Sequence, residues 1–275
     1  MRLHISFEKE KRNAEEVPDV EDCVGRSILS SVLSVERSKA QLKFDEAADK
    51  RLGTPRDQHE AAYIYLALGL RQVRNRDVII QSDGKIVPAT RVFHFAGHAF
   101  REIGQLNRAG DAYWRAGVLN GKNLDNFAIR SLAQAKMCYA EIGESDKSDR
   151  MHRLEWAARR MLANWPSRTV LTAWWLTTVY GTSFWWWLGW LFGIIVVFSF
   201  EYEGLHEVAA ITQGHPWTRW ISAVYFCIVT TATVGYGDFT PTNGIAELVV
   251  IINIVVGYIM LALGTTILGR KVLGR

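Results

Sequence analysis

The residues best suited to chemistry form one short segment in the last quarter of the chain. It reads Thr230-Thr231-Ala232-Thr233-Val234-Gly235-Tyr236-Gly237-Asp238. A dehydrated cation requires a stack of oxygens in place of its hydration shell, and backbone carbonyls supply one when they point to a common axis. Because an ordinary strand alternates its carbonyls, glycines that allow positive φ, here Gly235 and Gly237, are needed to aim them together. The segment predicts a cation-coordinating loop, with the Thr233 hydroxyl at its inner end and the side chains of Val234 and Tyr236 directed away from the axis.

Apolar segments surround this loop and predict how it is held. Residues 183–200 are eighteen residues without a charge, which is long enough for a helix that crosses a bilayer, and residues 245–268 form a second such run. The apolar stretch within residues 217–231 is too short to cross the bilayer twice, so it favours a helix that enters the membrane and returns. We therefore predict transmembrane helices at 183–200 and 245–268, a pore helix at 217–231 and a filter at 233–238, all within a pore domain at 183–275.

The distribution of charge predicts the orientation in the membrane. Of the 32 Lys and Arg residues, only Arg219, Arg270, Lys271 and Arg275 follow residue 169. Arginines crowd the region before the first apolar run, glutamates follow that run, and the second run ends in a basic pair. Since basic loops stay on the cytoplasmic side, we expect a multi-pass protein of the plasma (cell inner) membrane with both termini in the cytoplasm.

The loop and its flanking segments resemble the potassium channel family over roughly residues 170–275. The resemblance rests on the sequence from Thr233 to Asp238 and on the order of outer helix, pore helix, loop and inner helix. It implies a homotetramer that conducts potassium passively. The ion ligands would be the carbonyls of Thr233, Val234, Gly235 and Tyr236 and the Thr233 hydroxyl, with Gly237 completing the filter.

The same resemblance assigns roles outside the filter. It implies that Asp238 lies at the outer mouth and that Gly257 is a hinge in the inner helix. Three residues at helical spacing after this glycine would line the cavity; they are Tyr258, Leu261 and Thr265.

Two positions depart from the family pattern. Tyr225 and Phe226 stand where the family often has paired tryptophans, so Tyr225 can still donate to Asp238 whereas Phe226 cannot donate to Tyr236. Val229 stands where some members have a glutamate. We expect selectivity to survive both changes, while inactivation behaviour does not carry over.

Residues 44–163 predict a cytoplasmic, soluble domain of helical repeats. Small and aromatic residues fall at the positions of a tetratricopeptide-type hairpin; they are Gly97, Phe100, Gly104, Ala109, Tyr113 and Ala116. A second unit, around Tyr139 and Gly143, repeats the pattern 39 residues later (143 − 104), longer than the usual repeat of about 34. The predicted fold class is therefore an all-α membrane protein preceded by a tetratricopeptide-like domain, which would bind a peptide, a partner protein or a neighbouring subunit.

Three segments leave alternatives open. Residues 1–43 are highly charged and are either partly disordered or a loosely docked helix. Residues 164–182 form an interfacial helix and linker, or else their second half begins one long, tilted first transmembrane helix. Residues 78–87 form a short β-hairpin or a plain ordered loop.

Three polar residues have both a structural and a functional interpretation. His94 and His98, four residues apart, are a packed or exposed pair rather than a metal site, because two ligands are too few. Asn253 lies within an apolar run, where it is either functional or hydrogen-bonded to a neighbouring helix.

The remaining composition argues against several functions. The net charge of +4 is spread among acidic residues without a basic arm, which disfavours nucleic acid as a partner. We find no nucleophile, metal set or phosphate loop of an enzyme, so no cofactor is expected besides potassium as the permeant ion. Nothing in the membrane half resembles a helix with arginine at every third position, which disfavours voltage gating. The alternative to a channel is a non-conducting, membrane-anchored protein-interaction module.

Overall fold

The computed structural model describes residues 2–36, 39–80, 84–120, 125–204 and 216–273. These residues form α-helices and one small two-stranded sheet. The chain divides into two compact units, a head that ends at Thr169 and a membrane half that begins at Val170. Together with two long apolar helices in the membrane half, this confirms the all-α membrane fold.

The head consists of eight helices within its described residues. They are α1 Arg2–Glu15, α2 Cys23–Ser34, α3 Ala40–Lys50, α4 Pro55–Asn75, α5 Ala89–Glu102, α6 Leu106–Leu119, α7 Asn126–Glu141 and α8 Ser145–Leu162. Each helix from α4 to α8 contacts the next, while α1 packs on α6 and α2 packs on α4. Between α4 and α5, β1 Ile79–Ile80 and β2 Ile86–Val87 pair antiparallel, so the hairpin interpretation of residues 78–87 is confirmed.

The two hairpins α5–α6 and α7–α8 share one turn geometry. Gly104 and Gly143 follow the same residue pair, Glu-Ile, and have φ of 76° and 77°. In both turns the residue after the glycine donates its N–H to the carbonyl four positions before the glycine, at 2.8 and 2.9 Å. Gly104 and Gly143 are therefore turn residues of the two hairpins.

Glycines inside the head helices bring neighbouring helices close together. A Cβ added at Gly97 would lie 2.7 Å from the ring of Tyr113, and one at Gly110 would lie 2.9 Å from the ring of Tyr139. Both tyrosine rings are buried, so each fills the space that a glycine on the preceding helix leaves. This arrangement agrees with helical hairpins in general, and the tetratricopeptide assignment stays a prediction.

The amino-terminal helices α1 and α2 pack on later helices of the head. Ala14 on α1 and Leu29 and Val32 on α2 are buried. The buried Arg71 of α4 donates to Asp77 and to the carbonyl of Val32, the latter at 3.1 Å. Of the alternatives for residues 1–43, the described residues thus show docked helices.

Among the described residues, four helices follow α8, and the first of them crosses the boundary between the two units. They are α9 Trp165–Thr178, α10 Phe184–Gly204, α11 Pro216–Thr231 and α12 Gly244–Leu273. By length and composition, Phe184–Glu203 and Gly244–Arg270 are long and apolar enough to cross a membrane. A turn in which Val179, Tyr180 and Gly181 all have positive φ separates α9 from α10, so α9 is not the start of one long first helix.

Candidate functional site

The predicted filter follows directly from the end of α11. Thr233, Gly235 and Gly237 have φ of 59°, 54° and 77°, so every second residue is left-handed. The two glycines have the positive φ expected of them. The sequence analysis did not predict a positive φ at Thr233, which is uncommon for a residue with a Cβ. Its position two residues before Gly235 was the one signal that could have indicated it.

Hydrogen bonds tie the inner end of this loop to the pore helix. The N–H of Thr233 donates to the Thr230 carbonyl at 3.0 Å, and the N–H of Val234 donates to the Val229 carbonyl at 2.9 Å. These are the paired bonds of a Schellman-type turn that ends α11, with Thr233 in its left-handed position. The position of Thr233 is therefore set by the carboxyl-terminal turn of the pore helix.

The outer end of the loop is held by the altered aromatic positions. The Tyr225 hydroxyl donates to Asp238 Oδ2 at 2.8 Å, which is the bond that the sequence analysis expects. The Phe226 ring packs edge-on against the Tyr202 ring of α10, with 4.8 Å between the ring centroids. The centroid of the Phe239 ring lies 6.0 Å from that of Phe226. Phe226 has no hydrogen-bond donor on its side chain, and it contributes apolar packing instead.

Two side chains of the predicted filter are exposed in one isolated copy of the chain. Val234 is 51% exposed and Tyr236 is 70% exposed. Tyr258 of α12 lines the same cavity of about 300 Å³ as Thr233, Gly235 and Tyr236. The structure therefore brings Tyr258 to the filter.

The cavity-lining roles of Tyr258, Leu261 and Thr265 stay predictions. Leu261 and Thr265 are exposed and do not border the cavity beside the filter. They continue the exposed face of α12 beyond Tyr258 at helical spacing.

Gly257 brings α12 against the end of the pore helix. A Cβ at this position would lie 2.7 Å from the Thr231 carbonyl oxygen and 3.0 Å from the Thr231 Cα. Close approach to backbone accounts for glycine here. The hinge assigned to Gly257 stays a prediction.

Asn253 bonds to two neighbouring helices. It is fully buried, accepts from the Thr231 hydroxyl at 2.9 Å and donates to the Tyr202 hydroxyl at 2.9 Å. Of the alternatives for this residue, interhelical hydrogen bonding is what the structure shows, and its partners could not be found from sequence spacing.

The histidine pair in the head is packed among aromatic rings. The Nε2 atoms of His94 and His98 are 3.2 Å apart, and His94 Nδ1 lies 3.2 Å from Ser131 Oγ. Burial, then the charges of His98 and Arg91, lower the pKa of His94 to about 4. Among the described residues, no group of three or more His, Cys, Asp or Glu side chains is placed to hold a metal ion.

Comparison with known proteins finds similarity in the second part of the chain. Residues 169–273 match the family described as "Ion channel". Two-pore potassium channel 2 and two-pore potassium channel 3 of Arabidopsis thaliana are 44% and 42% identical to this chain over 48 residues. That stretch covers 18% of this chain and only 10% of either relative, and no solved structure matches. Residues 169–273 of this chain are thus similar in sequence to ion channels.

Proposed function

We propose that this chain is one subunit of a potassium-selective channel that conducts passively. The observation that carries the proposal is the left-handed φ at Thr233, Gly235 and Gly237, at alternate positions of the sequence Thr-Val-Gly-Tyr-Gly. This backbone is suited to presenting carbonyls of Thr233 to Tyr236 toward one axis, where they replace the hydration shell of potassium. Both similar relatives are named as potassium channels, which supports the choice of ion.

We propose a homotetramer as the conducting form. One chain contributes one loop, and closing a pore requires copies arranged around an axis. The exposed side chains of Val234 and Tyr236 are apolar surface of the kind that neighbouring copies cover in an assembly. Four copies give four loops, the number that the family resemblance implies.

The proposed setting is the plasma (cell inner) membrane, with both termini in the cytoplasm and lipid around α10 and α12. Basic residues before α10 and at Arg270 and Lys271 support this orientation. The amino-acid sequence from residue 170 onward has four basic residues and no regular arginine series, so we propose that opening does not depend on voltage.

The head is the proposed regulator of the pore. Its two hairpins with one turn geometry, α5–α6 and α7–α8, fit a repeat domain that binds a peptide or a protein. Binding there would favour either the open or the closed pore according to which of the two states binds the partner more tightly.

The test is the flux of potassium and sodium into liposomes that contain the purified protein. Wild type should give potassium-selective flux that barium blocks. Gly235→Ala should abolish this flux, because alanine at a φ of 54° costs about 1–2 kcal/mol in every subunit. Gly193→Ala is the matched control, because a Cβ there meets no atom of the described residues within 4 Å.

Other outcomes have distinct meanings. Absence of flux from an intact oligomer, in wild type and Gly193→Ala alike, would favour the membrane-anchored interaction module. Flux without preference for potassium would refute the assignment of residues 233–238 as the filter.

A further inference from the structure

Four polar side chains are buried together where α10, α11 and α12 meet. Tyr202, Cys227 and Asn253 are 0% exposed and Thr231 is 4% exposed. Polar groups inside a membrane segment are costly unless they bond to one another, so a buried set of this kind indicates a specific role. None of these side chains belongs to the filter itself.

Asn253 joins these groups into one chain of hydrogen bonds. The Thr231 hydroxyl of α11 donates to Asn253 Oδ1 at 2.9 Å, and Asn253 Nδ2 donates to the Tyr202 hydroxyl of α10 at 2.9 Å. Cys227 Sγ lies 3.8 Å from the same Nδ2. The amide therefore uses its acceptor toward the pore helix and its donor toward the outer helix, which a hydrocarbon side chain of the same size cannot do.

The residue that Asn253 holds is the one that ends the pore helix. Thr231 is followed after one residue by Thr233, the first predicted filter residue, whose N–H is bonded to Thr230. One turn along α12 from Asn253, Gly257 packs against the Thr231 backbone. Thr231 is thus fixed through both its side chain and its backbone by the same face of α12.

We infer that Asn253 is a positioning residue that fixes the inner end of the filter through Thr231. The inference rests on the proposed function for its consequence in conduction. Its structural content, the placement of residues 232–234 by Asn253, does not depend on which ion passes.

The test compares variants that remove the Asn253–Thr231 bond with variants that keep it. Asn253→Leu and Thr231→Val remove it at nearly constant volume, whereas Thr231→Ser keeps the hydroxyl. Thr266→Val is the matched control on α12, since the Thr266 hydroxyl donates to the Leu263 carbonyl of its own helix at 2.7 Å. Two quantities are measured on the full chain, the potassium-to-sodium flux ratio in liposomes and the hydrogen exchange rate of the Thr233 and Val234 amides.

We expect Asn253→Leu and Thr231→Val each to lower the flux ratio and to speed amide exchange by about tenfold, which corresponds to 1.4 kcal/mol. Thr231→Ser and Thr266→Val should match wild type in both measurements. The double variant Asn253→Leu/Thr231→Val should be no worse than Asn253→Leu alone, because Asn253→Leu already removes the bond to Thr231 together with the bond to Tyr202.

The two measurements separate failure of this inference from failure of the proposed function. Unchanged amide exchange in both bond-removing variants overturns the positioning role, whether or not the protein conducts. Equal acceleration in Thr266→Val also overturns it, because the effect would then be a general loosening of α12. If wild type shows no selective flux while exchange responds as expected, the positioning role stands and the proposed function fails.

Discussion

Replacing Gly264 with alanine should destabilise the membrane half, because α12 packs there directly on a tryptophan ring. A Cβ at this position would lie 2.4 Å from Cζ2 of Trp187 on α10, and 2.9 Å from its Cε2. The indole cannot withdraw freely, since Trp187 Nε1 donates to the Met260 carbonyl at 2.8 Å and the ring is packed against Met260 and Ile267. The new methyl group must therefore displace a ring that is both bonded and buried.

The magnitude follows from these two constraints. Forcing an extra methyl group into a packed contact costs about 1–3 kcal/mol, and the indole hydrogen bond contributes about 1 kcal/mol more if it is lost. We expect Gly264→Ala to lower the free energy of unfolding by about 2–4 kcal/mol per subunit, which corresponds to about 30- to 1000-fold in the folded-to-unfolded ratio. Gly189→Ala should be neutral or slightly stabilising, since a Cβ there meets none of the described atoms within 4 Å.

The assay is unfolding of the full chain in mixed micelles of dodecyl maltoside and SDS, followed by circular dichroism. The double variant Trp187→Phe/Gly264→Ala should be more stable than the sum of the single effects by about 1–3 kcal/mol, because the smaller ring leaves room for the methyl group. Equal stability of Gly264→Ala and Gly189→Ala would refute the reasoning, since the ring would then be free to move. So would strict additivity of the two changes.

Two predictions concern the head. Arg71→Met should destabilise the head by about 3–5 kcal/mol in urea unfolding of the full chain, because the Asp77 carboxylate, which is 2% exposed, loses the guanidinium that neutralises it. Arg56 is exposed, so Arg56→Met should change stability by less than about 1 kcal/mol. His94 has a pKa lowered to about 4 by burial and by His98, so the unfolded chain binds a proton more readily than the folded head between about pH 6.5 and 4. Because the His94 ring is only partly buried and water screens part of this effect, head stability should fall by on the order of 2 kcal/mol as the pH is lowered through this window, and an unchanged slope in His94→Gln would contradict this explanation.

The sequence was informative where one local pattern decides the structure. A run of eighteen residues without charge predicts a first helix at residues 183–200, and α10 begins one residue later, at Phe184. The helix continues beyond Phe200 to Gly204, because the glutamates that end the apolar run are good helix formers. Apolar length therefore predicts the part of a helix that lies in the membrane and not its end.

The sequence was uninformative where partners come from distant parts of the chain. Docking of α1 and α2 depends on a few buried residues, and hydropathy does not indicate which surface receives them. Asn253 has its partners 22 and 51 residues away, on two other helices. Gly257 was assigned from the resemblance alone, and its contact with Thr231 required the packing of α12 to be known.

Glycine facing an aromatic ring recurs in both units, but different forces hold the two kinds of contact. In the head, Gly97 against Tyr113 and Gly110 against Tyr139 bury large rings away from water, so the hydrophobic effect stabilises the contact. In the membrane half, lipid is as apolar as the ring, and burial of Trp187 against Gly264 gains little from that source. Close packing and the indole hydrogen bond to Met260 must then stabilise the contact, which is why the membrane ring is hydrogen-bonded to the helix that carries its glycine.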